Sequence, residues 1–202
     1  MGMNKKHLFA AGLAAGAGIA GALILILYLI NAPARAVAQN LAAINGMTVG
    51  QTTEADLLRR PQFQTVARKC FGRACIYAMG VANSFLSRLH LARPMSLWTI
   101  VEVSDGMVTR VSVLGWVRGR PGISLTQVNQ VTDCDRSPCV KALITPNHVM
   151  QSTRISFSSH SDIRNHISEA VDVACFSRIH GCETVEELMP LMREVRAKAV
   201  AP

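Results

Sequence analysis

The residues with the most distinctive chemistry are six cysteines, whose spacing favours disulfide bonds. They fall into three close pairs, with the spacings C-x4-C, C-x4-C and C-x6-C. An even number of cysteines beyond an export segment is typical of a disulfide-bonded extracytoplasmic protein. Six cysteines allow about fifteen connectivities, of which we favour pairing within each close pair. The candidates are Cys70 with Cys75, Cys134 with Cys139, and Cys175 with Cys182.

Two other uses of cysteine fit this spacing less well. A redox-active pair usually has the spacing C-x-x-C, and structural zinc sites use equally tight knuckles. Neither spacing occurs in this chain. Zinc would become the better interpretation if the cysteines faced the cytoplasm, because disulfides rarely persist in that reducing compartment.

A second group of chemically capable residues lies near a predicted strand-to-helix junction. His166 and Glu169 are three positions apart, so on a helix they share a face and could hold a metal ion. His160 and Asp162 lie just before them. A helix cap and solvated polar side chains explain these residues more simply. Ser159 next to His160 is a poor nucleophile–base pair, because adjacent strand residues point to opposite faces.

The sequence does not predict a familiar catalytic site. It contains no H-E-x-x-H and no G-x-S-x-G, and no nucleotide-binding loop is predicted. We therefore expect a non-catalytic protein without a cofactor, which binds a protein partner or has a role in the cell envelope. A divergent hydrolase or metal-dependent enzyme is the alternative.

An uncharged apolar run of 23 residues occupies positions 8–30. This run determines on which side of a membrane the cysteines and the histidine cluster lie. As a helix it would be about 34 Å long, enough to cross a hydrocarbon core of about 30 Å. Lys5 and Lys6 precede the run, and only Arg35 follows it closely. This bias predicts a single-pass protein with its N-terminus in the cytoplasm and its remaining chain outside.

A cleaved signal peptide is the alternative reading of the same run. Small-x-small patterns follow it, and cleavage near Ala34, Ala36 or Ala38 would secrete the protein. The run is longer than the roughly 7 to 15 residues usual in signal peptides, which favours retention. The predicted organisation is a cytoplasmic N-terminus (1–7), a transmembrane helix (8–30), a juxtamembrane helix (31–46) and an extracytoplasmic α+β domain (47–202).

Small residues form a row on the predicted transmembrane helix. Gly12, Gly16 and Ala20 follow one another at intervals of four residues. Such rows let two helices approach closely in lipid, so these residues are candidates for a homodimer contact. The alternative is that glycine and alanine only dilute a weakly hydrophobic segment.

The charge of the chain restricts its partners. The formal net charge is +8, of which +6 lies beyond residue 30. A basic exterior can bind an anionic lipid, an envelope polymer or nucleic acid. The arginines are scattered with few aromatic residues between them, which argues against nucleic acid. We expect the membrane and a protein partner or second copy as partners, with an anionic envelope polymer or lipid as the alternative.

The chain beyond the membrane reads as one α+β domain with a mainly antiparallel sheet. Strands are predicted at 75–81, 97–103, 107–117, 123–131 and 154–158, with a short extended segment at 140–144. Asp105-Gly106 predicts a tight hairpin turn between the second and third strands. In the third strand, alternation places Met107 and Thr109 on one face and Val108 on the other.

Helices are predicted before and after these strands along the chain. One covers 34–44 and continues from the apolar run, as a juxtamembrane stalk or the first domain helix, with Pro33 at a position where a new helix could begin. Thr53 is expected to cap the next helix. A C-terminal helical hairpin is predicted from a helix at 162–174 and a helix opened by a Thr184–Glu187 capping box, with Pro190 bending or delaying the latter.

The segment from Met47-Thr48-Val49-Gly50 to Asp56-Leu57-Leu58 resembles the opening of the small outer-membrane assembly lipoproteins. Those proteins have a helix-helix-three-strand fold, in which a glycine-containing turn precedes a short helix that packs on an antiparallel sheet. The resemblance implies that arrangement for about a dozen residues here, and no function is carried over from it.

Overall fold

One long helix, α1 (Lys5–Ile44), runs from the N-terminal region into the core of the protein. The computed structural model describes residues 5–118, 132–133, 140–141, 150–158 and 170–190. The other described elements are α2 (Glu54–Leu58), α3 (Pro61–Gln64), β1 (Ala67–Phe71), β2 (Ala74–Ala82), α4 (Ser84–Arg88), β3 (Met95–Ser104), β4 (Met107–Arg118), β5 (Thr132–Asp133), β6 (Val140–Lys141), β7 (Met150–Ser158), a 3-10 helix (Val173–Phe176) and α5 (Val185–Leu188).

The structure contains no separate helix beginning at Pro33, which instead lies inside α1. A proline leaves a helix one backbone hydrogen bond short. In the turns nearby, Asn31 Nδ2 donates to the carbonyl of Leu27 at 2.8 Å, and Arg35 Nη2 donates to the carbonyl of Tyr28 at 3.1 Å. Both hydrogen bonds lie in the turns around Pro33, and α1 continues through this residue.

The last turns of α1 belong to the domain core rather than to a stalk. Val37, Leu41 and Ile44 recur at the predicted helical spacing, and all three are buried. Gly46 follows with a φ of 81° and ends the helix, as a left-handed residue after a C-terminus commonly does. The guanidinium of Arg60 donates to the carbonyl oxygens of Ala43 and Asn45, so a cation caps the negative end of the helix dipole.

Thr53 caps α2, as predicted, and forms a capping box with Asp56. The Thr53 hydroxyl donates to Asp56 Oδ2 at 2.7 Å and accepts from the Asp56 amide at 3.1 Å. The hydrogen bonds from Thr53 lower the pKa of Asp56. Before α2 the chain turns at Gly50, and Leu57 is buried against the sheet side of the core. The turn-and-helix arrangement implied by the resemblance is therefore present.

The sheet is antiparallel throughout its described part, with the strand order β1-β2-β3-β4-β7. The strands predicted at 75–81, 97–103, 107–117 and 154–158 correspond to β2, β3, β4 and β7. Asp105 and Gly106 have φ values of 51° and 76°, as a tight hairpin turn requires. β1 was not predicted. The strand predicted at 123–131 lies outside the described residues.

The predicted alternation of side chains at the start of β4 is wrong. The register between β3 and β4 shifts between Glu102 and Val103, so Thr109 is an extra, exposed residue. A bulge of this kind reverses the facing of the residues on one side of it. Val108 therefore joins the buried face of the sheet together with Val111, whereas Met107 is only partly buried.

The two faces of the sheet differ in what covers them. The inner face packs against α1, α2, α3, the 3-10 helix and α5 in one continuous core. Gly115 provides close approach there, since a Cβ at this position would lie 2.4 Å from Met189 Sδ. The opposite surface, called the outer face below, carries the side chains between the buried positions of β2, β3 and β4.

The C-terminal region differs in detail from the predicted hairpin. Most of the first helix, predicted at 162–174, lies outside the described residues; Ala170 is helical and Asp172 already caps the 3-10 helix. The predicted helix therefore ends earlier than Ala174, because the Asp172 side chain accepts the Ala174 amide. Thr184 caps α5 by accepting the Glu187 amide at 3.2 Å. This helix is short and ends before Pro190.

Candidate functional site

The part of α1 from residue 16 to residue 28 is exposed and apolar. Its large side chains are among the most exposed hydrophobic groups of the described chain, with Ile24 at 68% and Tyr28 at 58%. The described stretch Gly16–Ile44 is long and apolar enough to cross a membrane, and an 18-residue window within it has a mean hydropathy of 1.9. By length and composition it fits both a membrane anchor and a signal sequence.

The exposed apolar stretch ends at an aromatic–cation pair. The guanidinium carbon of Arg35 lies 4.3 Å from the centre of the Tyr28 ring. A tyrosine with an arginine folded over it is typical of the level where a helix leaves the hydrocarbon core, because both side chains keep their polar ends in water. Tyr28 and Arg35 therefore mark the transition from apolar surface to domain.

The small-residue row of α1 is open in its described part. Gly16 and Ala20 are exposed, and a Cβ at Gly16 would meet nothing within 4 Å. The exposure of Gly12 is outside the described part. Helix pairing through this row stays a prediction.

Three glycines of α1 have the spacing of a known nucleotide-binding motif. Gly16, Gly18 and Gly21 match G-x-G-x-x-G, the spacing of a dinucleotide-binding loop. That motif requires a strand, a turn and then a helix. All three glycines lie inside α1 instead, so they do not form a phosphate-binding loop.

The described residues contain two disulfides, both within the close pairs favoured by spacing. Cys70 and Cys75 are bonded across the β1–β2 hairpin, where they are opposite each other in register. Cys175 and Cys182 are bonded at the loop between the 3-10 helix and α5, and both are fully buried. They hold this loop on the core. Cys134 and Cys139 lie outside the described residues.

Asp172 lies close enough to this second disulfide to suggest a metal site. Its carboxylate and the sulfurs of Cys175 and Cys182 are within 4.8 Å of one another. The two sulfurs are bonded to each other, and the carboxylate already accepts from the Ala174 amide at 3.0 Å and from Arg178 at 2.9 Å. These bonds explain the group as a structural cluster. The metal alternative at His160, Asp162, His166 and Glu169 lies outside the described residues.

The outer face carries an apolar patch that is open to solvent in its described part. Trp98 is 44% exposed and Ile76 is 37% exposed. The neighbouring Ile100, Leu114 and Trp116 are partly buried. Trp98 pairs in register with Leu114, so the apolar side chains adjoin across β3 and β4.

The largest side chain of this patch is held by a glycine. A Cβ at Gly80 would lie 2.8 Å from three ring carbons of Trp98, so the indole lies directly over the β2 backbone. One edge of the patch is charged: Arg110 Nη1 lies 3.3 Å from Glu102 Oε2. An anchored aromatic centre with a polar rim is the usual composition of a protein-binding surface.

A charged cluster that sequence reasoning missed joins α2 to β1 and β2. Glu54 Oε1 accepts a hydrogen bond from the Tyr77 hydroxyl and another from Arg68 Nη2 at 2.8 Å. The Arg68 guanidinium also lies over the Tyr77 ring at 5.6 Å, and Phe63 meets that ring edge-on at 6.3 Å. Each charge is paired within the cluster, which fits a structural role.

Tyr77 offers a direct probe of this cluster. Burial, followed by the hydrogen bond to Glu54, raises the pKa of Tyr77 to about 12. Because this pKa exceeds the ordinary tyrosine value of about 10, the protonated Tyr77 side chain stabilises the folded protein. That stabilisation is complete below pH 10 and is lost as the pH rises towards 12. In Tyr28→Phe, Tyr77 is the only tyrosine. We expect its absorbance titration to have a midpoint near 12, and Glu54→Gln to lower it. A midpoint near 10 in the folded protein would contradict this placement.

Comparisons with protein-family models, with curated proteins and with solved structures found no match to this chain. The apolar part of α1, the two disulfides and the outer face are the features with the clearest consequences.

Proposed function

We propose that this protein is a membrane-anchored extracytoplasmic domain that binds a protein partner and is not an enzyme. The proposal rests on the difference in exposure between the earlier and the later part of α1. The side chains of residues 16–28 are exposed and mostly apolar, whereas Val37 and Ile44 further along the helix are completely buried in the domain core. One continuous helix thus joins a membrane-compatible surface to the folded domain without a linker.

The same continuity supports a retained anchor over a cleaved signal peptide. Cleavage after Ala38 would remove Val37, which is fully buried. Cleavage after Ala34 or Ala36 would leave Val37 in a frayed first turn, where backbone amides lack partners. In either case the protein would lose packing that the intact helix supplies.

Two observations support an extracytoplasmic domain. The two disulfides are compatible with an oxidising compartment, where such bonds persist. Lys5 and Lys6 on the other side of the apolar run favour a cytoplasmic N-terminus. Redox chemistry and charge therefore support the same orientation.

Orientation can be measured by thiol labelling of the full chain in intact cells that produce it. A membrane-impermeant maleimide should label the exposed Cys70 only after an impermeant phosphine has reduced its bond to Cys75, without permeabilisation. The buried Cys175–Cys182 pair should stay unlabelled under native conditions, which makes it the internal control. Thiols that are labelled without reduction, and only after permeabilisation, would contradict an extracytoplasmic domain.

The outer face is the proposed surface for the protein partner. The partner would cover the indole of Trp98 and the side chain of Ile76, which stay open although both lie on central or near-central strands. Burial of large aromatic anchors commonly dominates such contacts. Native membranes should give a discrete protein adduct with a photoreactive Trp98→p-benzoylphenylalanine variant. Leu58, exposed at 38% on α2, is the matched control position. Identical adducts at both positions, or none at Trp98, would contradict this assignment.

A further inference from the structure

Two exposed loops of similar composition lie outside every feature assigned above. One follows α4 and reads Arg88-Leu89-His90-Leu91; the other follows the 3-10 helix and reads Arg178-Ile179-His180. Their aliphatic side chains are unusually open, with Leu89 at 52%, Leu91 at 44% and Ile179 at 57% exposed. Each loop combines an exposed aliphatic side chain with an arginine and a histidine.

The first loop has a fixed shape. His90 has a φ of 57°, a left-handed conformation that residues other than glycine rarely adopt. The backbone just after it is tied down, because the amides of Leu91 and Ala92 both donate to the carbonyl of Leu86, at 3.0 and 3.3 Å. The exposed leucines are therefore presented by an ordered turn. Backbone strain of this kind often accompanies a functional surface.

The two loops are neighbours. Arg93 Nη1, from the segment after the first loop, donates to the carbonyl of Glu183 at 3.3 Å. Gly181 of the second loop approaches so closely that a Cβ there would lie 3.5 Å from Ala92 Cβ and 2.4 Å from Met95 Cε. The exposed residues of both loops thus form one surface, the basal patch: Arg88, Leu89, His90, Leu91, Arg178, Ile179 and His180.

The basal patch lies at the end of the sheet where β3 begins. The Asn83 amide, just before α4, donates to the carbonyl of Met95 at 3.2 Å, which fixes α4 at that end. The opposite end is marked by the β3–β4 turn at Asp105-Gly106. The tip of the β1–β2 hairpin is also at this opposite end, because the Asp105 amide donates to the carbonyl of Arg73 at 3.2 Å.

The course of α1 places the anchor on the same side as the basal patch. After α1 ends, the chain soon reaches Gly50, whose amide donates to the carbonyl of Val108 at 2.7 Å beside the β3–β4 turn. α1 also contacts α4 and the 3-10 helix, which flank the patch. Since α1 ends towards the β3–β4 turn, its apolar first half leaves the domain past the opposite end, where the patch lies.

We infer that the basal patch is a second membrane contact, which docks the domain on anionic lipid headgroups at the foot of the anchor. The inference rests on the proposed function, because it needs α1 to be in the bilayer. Leu89, Leu91 and Ile179 enter the headgroup region, and Arg88 binds lipid phosphates, whereas Arg178 is paired with Asp172 at 2.9 Å. Aliphatic side chains flanked by basic ones are the composition of interfacial membrane contacts. The anchor supplies high local concentration, so a small patch is sufficient.

The test uses the full chain reconstituted into vesicles of phosphatidylcholine with about one quarter phosphatidylglycerol. A photoreactive residue is introduced as Leu89→p-benzoylphenylalanine or Ile179→p-benzoylphenylalanine, and lipid adducts are counted by mass spectrometry. Phe71→p-benzoylphenylalanine is the matched control, since Phe71 is 61% exposed at the opposite end of the domain. We expect lipid adducts at Leu89 and Ile179 and almost none at Phe71.

The dependence of the lipid adduct yield on charge distinguishes binding to anionic headgroups from mere proximity to the bilayer. Arg88→Gln should lower the adduct yield at Ile179 about fivefold in these vesicles, because each arginine near an anionic surface contributes about that factor. Arg73→Gln, at the far hairpin tip, is the control and should have no effect. Equal yields in vesicles of phosphatidylcholine alone would overturn the anionic lipid assignment.

The outcomes also separate this inference from the proposed function. Protein that resists alkaline carbonate extraction but gives no lipid adduct at Leu89 or Ile179 overturns the basal patch alone. Protein that carbonate extracts from the vesicles overturns the anchor itself. A protein adduct in place of lipid adducts at Leu89 would mean that the patch binds a polypeptide, which also overturns the inference.

Discussion

Replacing Val37 by aspartate is expected to lower the free energy of unfolding by more than about 3 kcal/mol. Val37 is fully buried in the hydrophobic core, so a carboxylate placed there would be removed from water among apolar side chains. An uncompensated buried charge typically costs about 3 to 5 kcal/mol. The effect would show that the segment following the membrane run is a core element of the domain.

The adjacent Ala38 provides the control, because it lies on the same turn of α1 and is exposed. Ala38→Asp should cost less than about 1 kcal/mol, which is the difference in helix propensity. Unfolding can be followed by tryptophan fluorescence in detergent, since both tryptophans, Trp98 and Trp116, lie in the sheet and report on the domain. Equal destabilisation by the two substitutions would contradict the buried position of Val37.

Removing the buried disulfide is expected to cost more stability than removing the exposed one. In the chain-entropy model, each short loop contributes about 2 kcal/mol. The Cys175 and Cys182 sulfurs are also fully buried beside Phe176, so the double change to alanine loses packing as well. We expect a loss of about 3 to 4 kcal/mol for Cys175→Ala with Cys182→Ala.

The matched variant is Cys70→Ala with Cys75→Ala, for which we expect a loss of about 2 kcal/mol. Cys70 is exposed, and the hairpin that it closes keeps its β1–β2 hydrogen bonds without the disulfide. Denaturant unfolding of all three proteins under non-reducing conditions gives the comparison. A larger loss for the hairpin pair would contradict the role assigned to the buried loop.

Local signals in the sequence were sufficient for several elements. The Asp105-Gly106 turn is determined by two residues that tolerate positive φ, and the flanking strands are strongly apolar. Thr53 and Thr184 cap their helices through their own hydroxyls, which depends on only a few neighbouring residues. The three-residue spacing of such caps is readable without any tertiary structure.

Elements that depend on tertiary contacts were missed. β1 has the sequence Ala-Arg-Lys-Cys-Phe without apolar alternation, and it exists because it pairs with β2 across the Gly72 turn. Its Arg68 and Lys69 suit an exposed edge, where charge discourages pairing with another chain. The bulge at Thr109 likewise depends on the register between two strands, which a single strand's pattern does not contain.

Candidate sites were harder to predict than elements. Glu54, Arg68 and Tyr77 meet only when α2 folds onto β1 and β2, so no short motif contains them. Leu89 and Ile179 look like core residues by type, and only their exposure shows that they form a surface. The periodicity of residues 34–44 indicated a helix that continues from the apolar run, but it did not show that Pro33 lies inside one unbroken helix.

We propose that α1 is one uncleaved element that serves both as membrane anchor and as part of the domain core. The most direct measurement is intact-mass and N-terminal peptide analysis of the protein recovered from carbonate-washed membranes of cells that produce it. We expect a single species that retains residues 8–30 and still carries Val37 within the chain. A mature protein that begins after Ala34, Ala36 or Ala38 and is found in the soluble fraction would contradict it.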